Sequence, residues 1–186
     1  SSSSVQQSDD QHNVTTQDLQ HYMVNKCTTD DGERQTVLMW AIMGGHLHVV
    51  KFLMDHCSAA TSAVDARGYN ALIHASQIGN LFILDYLLVY SAMLLSSHLD
   101  SPPRESSDLF LAQQVYLVHQ VRDSEGHSLL HWASYKGHAH IVQYLLNKLI
   151  TYYHHQTGSL TSDNTSNKNN AVLEYINLVD TSTRRS

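Results

Sequence analysis

The feature that most constrains the fold is a unit of two short helices, stated most completely by residues 123–146, DSEGHSLLHWASYKGHAHIVQYLL. Asp123 and Gly126 suit a tight turn, because Asp bonds its own backbone and Gly accepts a left-handed conformation. Ser128 is a suitable N-cap for a first helix that Gly137 would end. A second helix then carries an apolar stripe, which so short a pair of helices cannot bury alone. The unit therefore needs neighbours of its own kind.

Two further copies are found upstream when the sequence is aligned on the capping residue. The aligned positions are the caps Thr36, Asn70 and Ser128, the alanines Ala41, Ala75 and Ala133, and the glycines Gly45, Gly79 and Gly137. The second helices then align without gaps as VVKFLM, ILDYLL and IVQYLL. The first two caps are 34 positions apart and the next two 58, so about 24 residues are inserted. The pattern predicts an all-α solenoid of stacked helix-turn-helix units.

The turn, both helices and the spacing resemble those of ankyrin repeats, whose period is about 33 residues. The family's Thr-Pro-Leu-His opening is replaced here by TVLM, NALI and SLLH. Proline, which is pre-set for the first helical position, is missing from all three copies. The first turn also has Arg34 where the other two have Gly68 and Gly126. We therefore expect the first two repeats to be individually weaker than the third.

The predicted domain organisation is a disordered segment over residues 1–16 followed by an ankyrin-repeat domain over 17–186. Residues 1–16 are rich in Ser and Gln and have too few apolar side chains to offset the entropy of ordering. The domain divides into a partial repeat 17–30, repeats 31–64, 65–95 and 123–150, the start of a further repeat 177–186, and insertions 96–122 and 151–176. The stretch 18–26 is either a remnant repeat that caps the N-terminal end or an unrelated amphipathic helix, with Leu19, Tyr22 and Met23 as its apolar face.

The first insertion begins with turn-forming residues and ends in the apolar stretch LFLAQQVYLVHQ. This stretch is predicted to be a helix capped by Asp108 or Ser107, or an extended arm. We expect it beside the concave surface or the exposed edge of the solenoid. There it would either contribute binding specificity or have no specific role.

The second insertion contains a low-complexity stretch, residues 154–170, which is predicted to be disordered. The stretch from Asp180 to Ser186 looks like the turn of a further repeat, broken off before its first helix. We therefore expect the chain to be a piece of a larger protein. A solenoid cut in this way exposes an apolar end, and we expect a tendency to self-associate through Leu145, Leu146 and Leu149.

Composition excludes several classes of function. The chain has 186 residues, 42% of them hydrophobic, which is typical of a soluble globular domain. It has no apolar run of eighteen residues, so no membrane insertion by this segment is expected. The net charge of −6, with eleven Lys plus Arg, argues against a nucleic-acid partner. The two cysteines are far apart, which favours free thiols in a reducing compartment.

The fourteen histidines raise the question of a metal site. Two pairs stand at the start of second helices, His46 with His48 and His138 with His140. Rings two residues apart on a helix point to different faces, so no metal site is predicted. The carboxylates of the predicted turns are Asp31, Asp65 and Asp123, and we interpret them as turn residues. No catalytic constellation is visible, and no cofactor is expected in this chain.

The candidate binding residues are aromatic. Trp40 and Trp132 stand at the same place in their first helices, His74 takes that place in the middle repeat, and Tyr135 follows Trp132 one turn on. The ankyrin resemblance implies that first helices line a concave groove. Each Trp could fill the seam between neighbouring repeats. Alternatively at least one, above all Trp40, presents its face as an anchor for a ligand side chain such as proline.

A closer resemblance rests on the motifs LMWA, at residues 38–41, and LHWA, at residues 130–133. These are similar to the ankyrin domains that precede the catalytic domain of Asp-His-His-Cys (DHHC) palmitoyltransferases. The resemblance implies a cytosolic domain that recruits substrate proteins through short disordered peptides, in a parent integral to the Golgi or another endomembrane. Palmitoyl-CoA and zinc would then bind outside this segment. The alternative is an ankyrin scaffold or adaptor with no associated enzyme activity.

Overall fold

The structure, a computed structural model, describes residues 15–27, 32–97 and 107–157, and these residues form helices joined by turns. The helices are α1 Thr16–Asn25, α2 Val37–Met43, α3 Leu47–Cys57, α4 Ala71–Ile78, α5 Leu81–Ser97, α6 Ser107–Gln120, α7 Leu129–Tyr135 and α8 Ala139–Thr157. The predicted all-α class is confirmed. Within these ranges, no helix is both long enough and apolar enough to cross a bilayer.

The predicted caps begin the first helix of each repeat. In α2, α4 and α7 the cap side chain accepts a hydrogen bond from the backbone amide three residues on, which satisfies a donor that the helix leaves unpaired. The pairs are Met39 N to Thr36 Oγ1 at 3.3 Å, Ile73 N to Asn70 Oδ1 at 3.0 Å, and His131 N to Ser128 Oγ at 3.3 Å. Local sequence therefore decides where each repeat begins.

The helices form two layers. The first helices α2, α4 and α7 pack in succession, and each packs against the second helix of its own repeat, α3, α5 or α8. Large apolar side chains from both layers are fully buried between them, among them Leu38, Ile42, Ile73, Leu84, Leu87, Leu129, Ile141 and Leu145. The stacked repeats thus bury the stripes that no single pair of helices could bury.

The turns of consecutive repeats are joined by backbone hydrogen bonds. The Ala66 amide donates to the Glu33 carbonyl at 2.9 Å, and the Ser124 amide donates to the Arg67 carbonyl at 3.4 Å. The Ser124 hydroxyl donates to the same carbonyl at 2.8 Å. The second and third repeats therefore stay in register although the first insertion separates them in sequence.

The first insertion does not lie beside the concave surface, so the first of its two expected positions is wrong. Its apolar stretch forms α6, which packs against α5 and α8 in the second-helix layer. Val115 and Val118 are buried there, and Lys148 donates a hydrogen bond to Gln114. The reason lies in helix length, because α5 has 17 residues and α8 has 19, whereas α3 has 11. The extra turns offer apolar surface that α6 covers.

Helix α1 packs against α2 and α3 and so covers the N-terminal end of the first repeat. The Ala60 amide donates to the Asn25 side-chain oxygen at 2.7 Å. The apolar face named from the sequence is not the packing face, since its three side chains, Leu19, Tyr22 and Met23, are between 55% and 62% exposed. Hydrogen bonds of Gln20 and Asn25 with the end of α3 and the residues after it, together with the half-buried Val24, hold it instead.

Several predicted boundaries need correction. Thr15 caps α1 and Thr16 begins it, so the disorder predicted for 1–16 is wrong at these two residues. Helix α8 continues through Thr157, so the disorder predicted for 154–170 is wrong for 154–157. Leu145, Leu146 and Leu149 were predicted to form an exposed apolar end. Two of them are not exposed, because Leu145 and Leu149 are buried in the core and only Leu146 is partly exposed. Residues 1–14, Asp31 and the predicted repeat start 177–186 lie outside the described residues.

Candidate functional site

An aromatic cluster surrounds Trp132 on α7. The Trp132 ring meets three rings edge to face, with centroid distances of 5.1 Å to Tyr69 of the preceding repeat, 5.8 Å to His127 and 5.7 Å to Tyr135. The indole N–H donates to Asp123 Oδ2 at 2.9 Å. Edge-to-face rings are mutually attractive, so each ring helps to hold the others in place.

A cleft of about 340 Å³ opens on this cluster and is lined by His127, His131, Trp132 and Tyr135. Tyr135 is 77% exposed, whereas Trp132 is half-buried. An immobilised aromatic floor beside an exposed tyrosine can accept a flat apolar side chain at a small cost in conformational entropy, since the floor is already ordered. The geometry suits recognition of a protein side chain.

Asp123 holds Trp132 in position. Its Oδ1 accepts hydrogen bonds from the amides of Glu125 and His127 at 2.9 and 2.8 Å. Burial alone would raise the pKa of Asp123, but the hydrogen bonds from His127, Trp132 and Glu125 outweigh it and lower the pKa. The carboxylate therefore stays ionised at neutral pH and remains an acceptor for the indole N–H.

The middle repeat has the same arrangement with a histidine in place of the tryptophan. Asp65 Oδ1 accepts from the amides of Arg67 and Tyr69 at 2.9 and 2.8 Å. Asp65 Oδ2 lies 3.1 Å from His74 Nε2. The bonded side chain stands nine residues after the turn aspartate in both repeats, so a ring N–H at this place serves the turn of its own repeat.

His74 is therefore placed differently from the other predicted groove residues. It is 4% exposed, and its ring contacts Asp65 and packs edge to face with Tyr69, with ring centroids 5.8 Å apart. A ring so covered offers no surface to a ligand. Its position supports the turn and the seam between repeats, and it does not present a contact in the groove.

Trp40 is the most exposed of the residues that align with this place. Its side chain is 56% exposed on α2. Helix α4 lies between α2 and α7, so the structure brings Trp132 and Tyr135 together and leaves Trp40 one repeat away. Trp132 touches Tyr69 as the seam interpretation expects, while the exposure of Trp40 is what the groove interpretation requires.

Two residues of the cluster, Tyr69 and His127, were missed by the sequence analysis. Each stands immediately before a capping residue, Asn70 or Ser128, so the same alignment that found the tryptophans contained the signal. The turn preceding a first helix thus supplies a ring beside the groove position. In an alignment of repeats, the position immediately before the N-cap should therefore be inspected for aromatic residues.

The histidines at the start of α8 tie the third repeat to the second. His138 Nε2 donates to the Gln77 carbonyl at 2.8 Å, and His140 Nε2 donates to the Gly79 carbonyl at 2.7 Å. The Gln77 carbonyl lies in the last turn of α4 and the Gly79 carbonyl at its C-cap, where a helix leaves acceptors unpaired. Among the described residues, no three His, Cys, Asp or Glu side chains are grouped so that they could hold a metal ion.

The buried His74 and the half-buried His119 predict a dependence of stability on pH. Burial lowers the pKa of His74, although Asp65 partly opposes this, and burial lowers the pKa of His119 to about 4. The unfolded chain takes up protons at these sites as pH falls below about 6.5, while the folded state resists protonation. We expect the free energy of unfolding to decrease between pH 6.5 and 4, with each histidine contributing at most about 1.4 kcal/mol per pH unit. Solvent screening reduces this figure for the partly exposed His119.

Urea denaturation at a series of pH values measures this slope. His119→Gln should flatten it between pH 6 and 4, because the substituted side chain does not titrate. An unchanged slope in that variant would show that His119 is not protonated differently in the two states.

Comparison with family models identifies ankyrin repeats in two parts of the chain. A family model described as ankyrin repeats (3 copies) matches residues 8–96, and one described as ankyrin repeat matches residues 125–150. Together they cover more than half of the chain.

Two curated relatives are similar to parts of the chain. Palmitoyltransferase AKR1 of Lachancea kluyveri is 28% identical over an alignment of 126 residues that covers 60% of this chain and 17% of the relative. The 26S proteasome non-ATPase regulatory subunit 10 of Dictyostelium discoideum is 30% identical over 67 residues, 36% of this chain and 29% of the relative. The chain thus spans less than a third of the length of either relative.

Proposed function

This chain belongs to the ankyrin-repeat proteins, whose repeats are protein–protein interaction modules, and on that premise we propose that it is the substrate-recruiting domain of a membrane-bound protein S-palmitoyltransferase. Its partner is a protein or a disordered peptide, held against the face formed by α2, α4 and α7. Trp40 is the leading contact, and Trp132 with Tyr135 forms a second. The catalytic domain of the parent, with palmitoyl-CoA and zinc, lies outside this segment.

The observation that carries the binding proposal is the exposure of aromatic side chains on one face. Trp40 is 56% exposed and Tyr135 is 77% exposed, and both stand on first helices. Large aromatic side chains at the surface of a rigid scaffold are the commonest hot spots for protein partners. Their placement on short, capped and packed helices means that little further ordering is needed on binding.

The similarity to a palmitoyltransferase supports the choice of parent. The alignment with that relative covers 60% of this chain. The motifs LMWA and LHWA place a tryptophan before the alanine of the first helix in two repeats. On this proposal the segment faces the cytosol and the parent is integral to the Golgi or another endomembrane. The complete reading frame of the parent should then contain four apolar spans and a DHHC motif after this segment.

The alternative function is that of an ankyrin scaffold or adaptor without enzyme activity. It is favoured by the similarity to a regulatory subunit described as non-ATPase, which is 30% identical over 67 residues. A reading frame that continues only with more repeats or an unrelated domain would support this alternative. Both functions require the same binding face, so the binding experiment below tests what they share.

Trp40→Ala is expected to weaken the binding of an extended proline-containing peptide at least tenfold, about 1.4 kcal/mol, because it removes the exposed anchor. Isothermal titration of the wild type and the variant with a panel of such peptides, each paired with its Pro→Ala counterpart, measures the effect. Tyr135→Ala should give a smaller loss.

Phe52→Ala is the matched control for this experiment. Phe52 is 56% exposed, as Trp40 is, but it stands on α3 in the second-helix layer. Its removal should leave the affinity unchanged while controlling for loss of exposed aromatic surface. Equal affinities of wild type and Trp40→Ala, with both shown to be folded by circular dichroism, would remove Trp40 from the site.

A further inference from the structure

The C-terminal end of the solenoid presents an apolar face, here named the end face, formed by Val142, Leu146 and Ile150 on α8. These side chains stand four residues apart and so lie on one side of the helix. They line an open groove of about 520 Å³ together with residues of the α7–α8 turn and the polar side of α8: Ser134, Gly137, His138, Ala139, Gln143 and Asn147.

The aligned positions of the other two repeats are more deeply buried than those of the end face. Val50 and Met54 in the first repeat align with Val142 and Leu146, and their exposures are 0% and 1%. The aligned pair in the second repeat, Leu84 and Leu88, is also fully buried. In the third repeat the same two positions are only half-buried. In the first two repeats, later parts of the chain pack over these side chains. Within the described residues, nothing covers the third pair to the same extent.

We propose that residues 171–179, AVLEYINLV, dock on the end face and act as its cap, which assigns 177–179 to the cap and not to the start of a further repeat. Val172, Leu173, Ile176 and Val179 are spaced as one face of a helix, at i, i+1, i+4 and i+7. This is the same kind of stripe that the second helices use to pack. The neighbouring positions Glu174 and Asn177 are polar and suit the outer side of such a cap.

The length of chain permits this docking. Thirteen residues, 158–170, join the end of α8 to the proposed cap. An extended chain covers about 3.3 Å per residue, so this linker spans up to about 43 Å. Helix α8 has 19 residues and rises about 1.5 Å per residue, so it is about 28 Å long. The linker is therefore long enough to return the cap to any point of the end face.

The N-terminal end of the solenoid is also covered by a short helical segment. Helix α1 packs against α2 and α3 and covers the first repeat, and it is the one helix described before α2. A tethered segment also has an effective concentration on the order of millimolar, which exceeds that of a second copy of the chain in dilute solution. The chain's own segment is therefore the occupant favoured over self-association.

Hydrogen exchange of the 186-residue chain, followed by mass spectrometry, tests the proposal. Amides of residues 171–179 should exchange at least tenfold more slowly than those of the linker 158–170. Leu146→Asp should abolish this protection, because a carboxylate in the groove opposes an apolar cap. Leu173→Asp should abolish it as well, and this variant leaves the described core unchanged.

Met93→Asp is the control, since Met93 is 59% exposed on α5 and the same change there should leave the cap protected. Three results would overturn the proposal. They are unprotected amides over 171–179 in the wild type, protection that survives both Leu146→Asp and Leu173→Asp, and protection that grows with protein concentration. The last result would identify a second copy as the occupant.

Discussion

Leu84→Ala is expected to lower the free energy of unfolding by about 2–5 kcal/mol, the range for a leucine removed from a closely packed core. Leu84 is fully buried on α5, in the core cluster that joins the layers of all three repeats. Because the middle repeat contacts both of its neighbours, weakening it also weakens two interfaces. Urea denaturation followed by far-ultraviolet circular dichroism measures the change.

Phe82→Ala provides the comparison within the same helix. Phe82 stands two residues from Leu84 and is 76% exposed, so its truncation should change stability by less than about 0.5 kcal/mol. Both substitutions place alanine on α5, so differences in helix propensity are small beside the expected gap. Similar losses in the two variants would show that α5 is not packed as described.

Gly79→Ala is expected to lower the free energy of unfolding by about 2–5 kcal/mol, from two causes. Gly79 has a left-handed backbone, φ +75°, which costs an alanine about 1–2 kcal/mol. An added Cβ would also lie only 2.5–2.6 Å from three atoms of the His138 ring, and relieving such overpacking costs about 1–3 kcal/mol. The ring would have to leave the Gln77 carbonyl, so the tie between repeats would also weaken.

Gly137→Ala separates the two causes. Gly137 occupies the same place in the third repeat with φ +76°, but a Cβ there meets nothing within 4 Å. Its substitution should therefore show the backbone cost alone. The difference between the two variants measures the contact with His138, and the double change Gly79→Ala with His138→Ala should recover the steric part. Identical losses at Gly79 and Gly137 would contradict the close approach of the repeats.

The repeat and its helices were predictable because the signals for them are local. The caps Thr36, Asn70 and Ser128 act within three residues, and the apolar stripes have the period of a helix. Neither depends on where the rest of the chain lies. The family resemblance to ankyrin repeats follows from the same local pattern, repeated at nearly constant spacing.

The position of the insertion was not predictable in this way. The sequence of α6 indicates an apolar helix, but the surface that receives Val115 and Val118 is made by α5 and α8. Those two helices are lengthened beyond α3, and they meet only after the repeats have stacked. Where an amphipathic helix docks depends on which apolar surface the folded chain leaves uncovered.

The sequence by itself determined the repeated unit, its caps and the candidate positions Trp40, His74 and Trp132, because capping chemistry and helical periodicity act over a few residues. Only the tertiary structure decided how much of each ring a ligand could touch. It leaves Trp40 exposed, half-buries Trp132 against Tyr69 and buries His74 beside Asp65. These differ because exposure depends on neighbouring repeats, whose contacts join residues tens of positions apart.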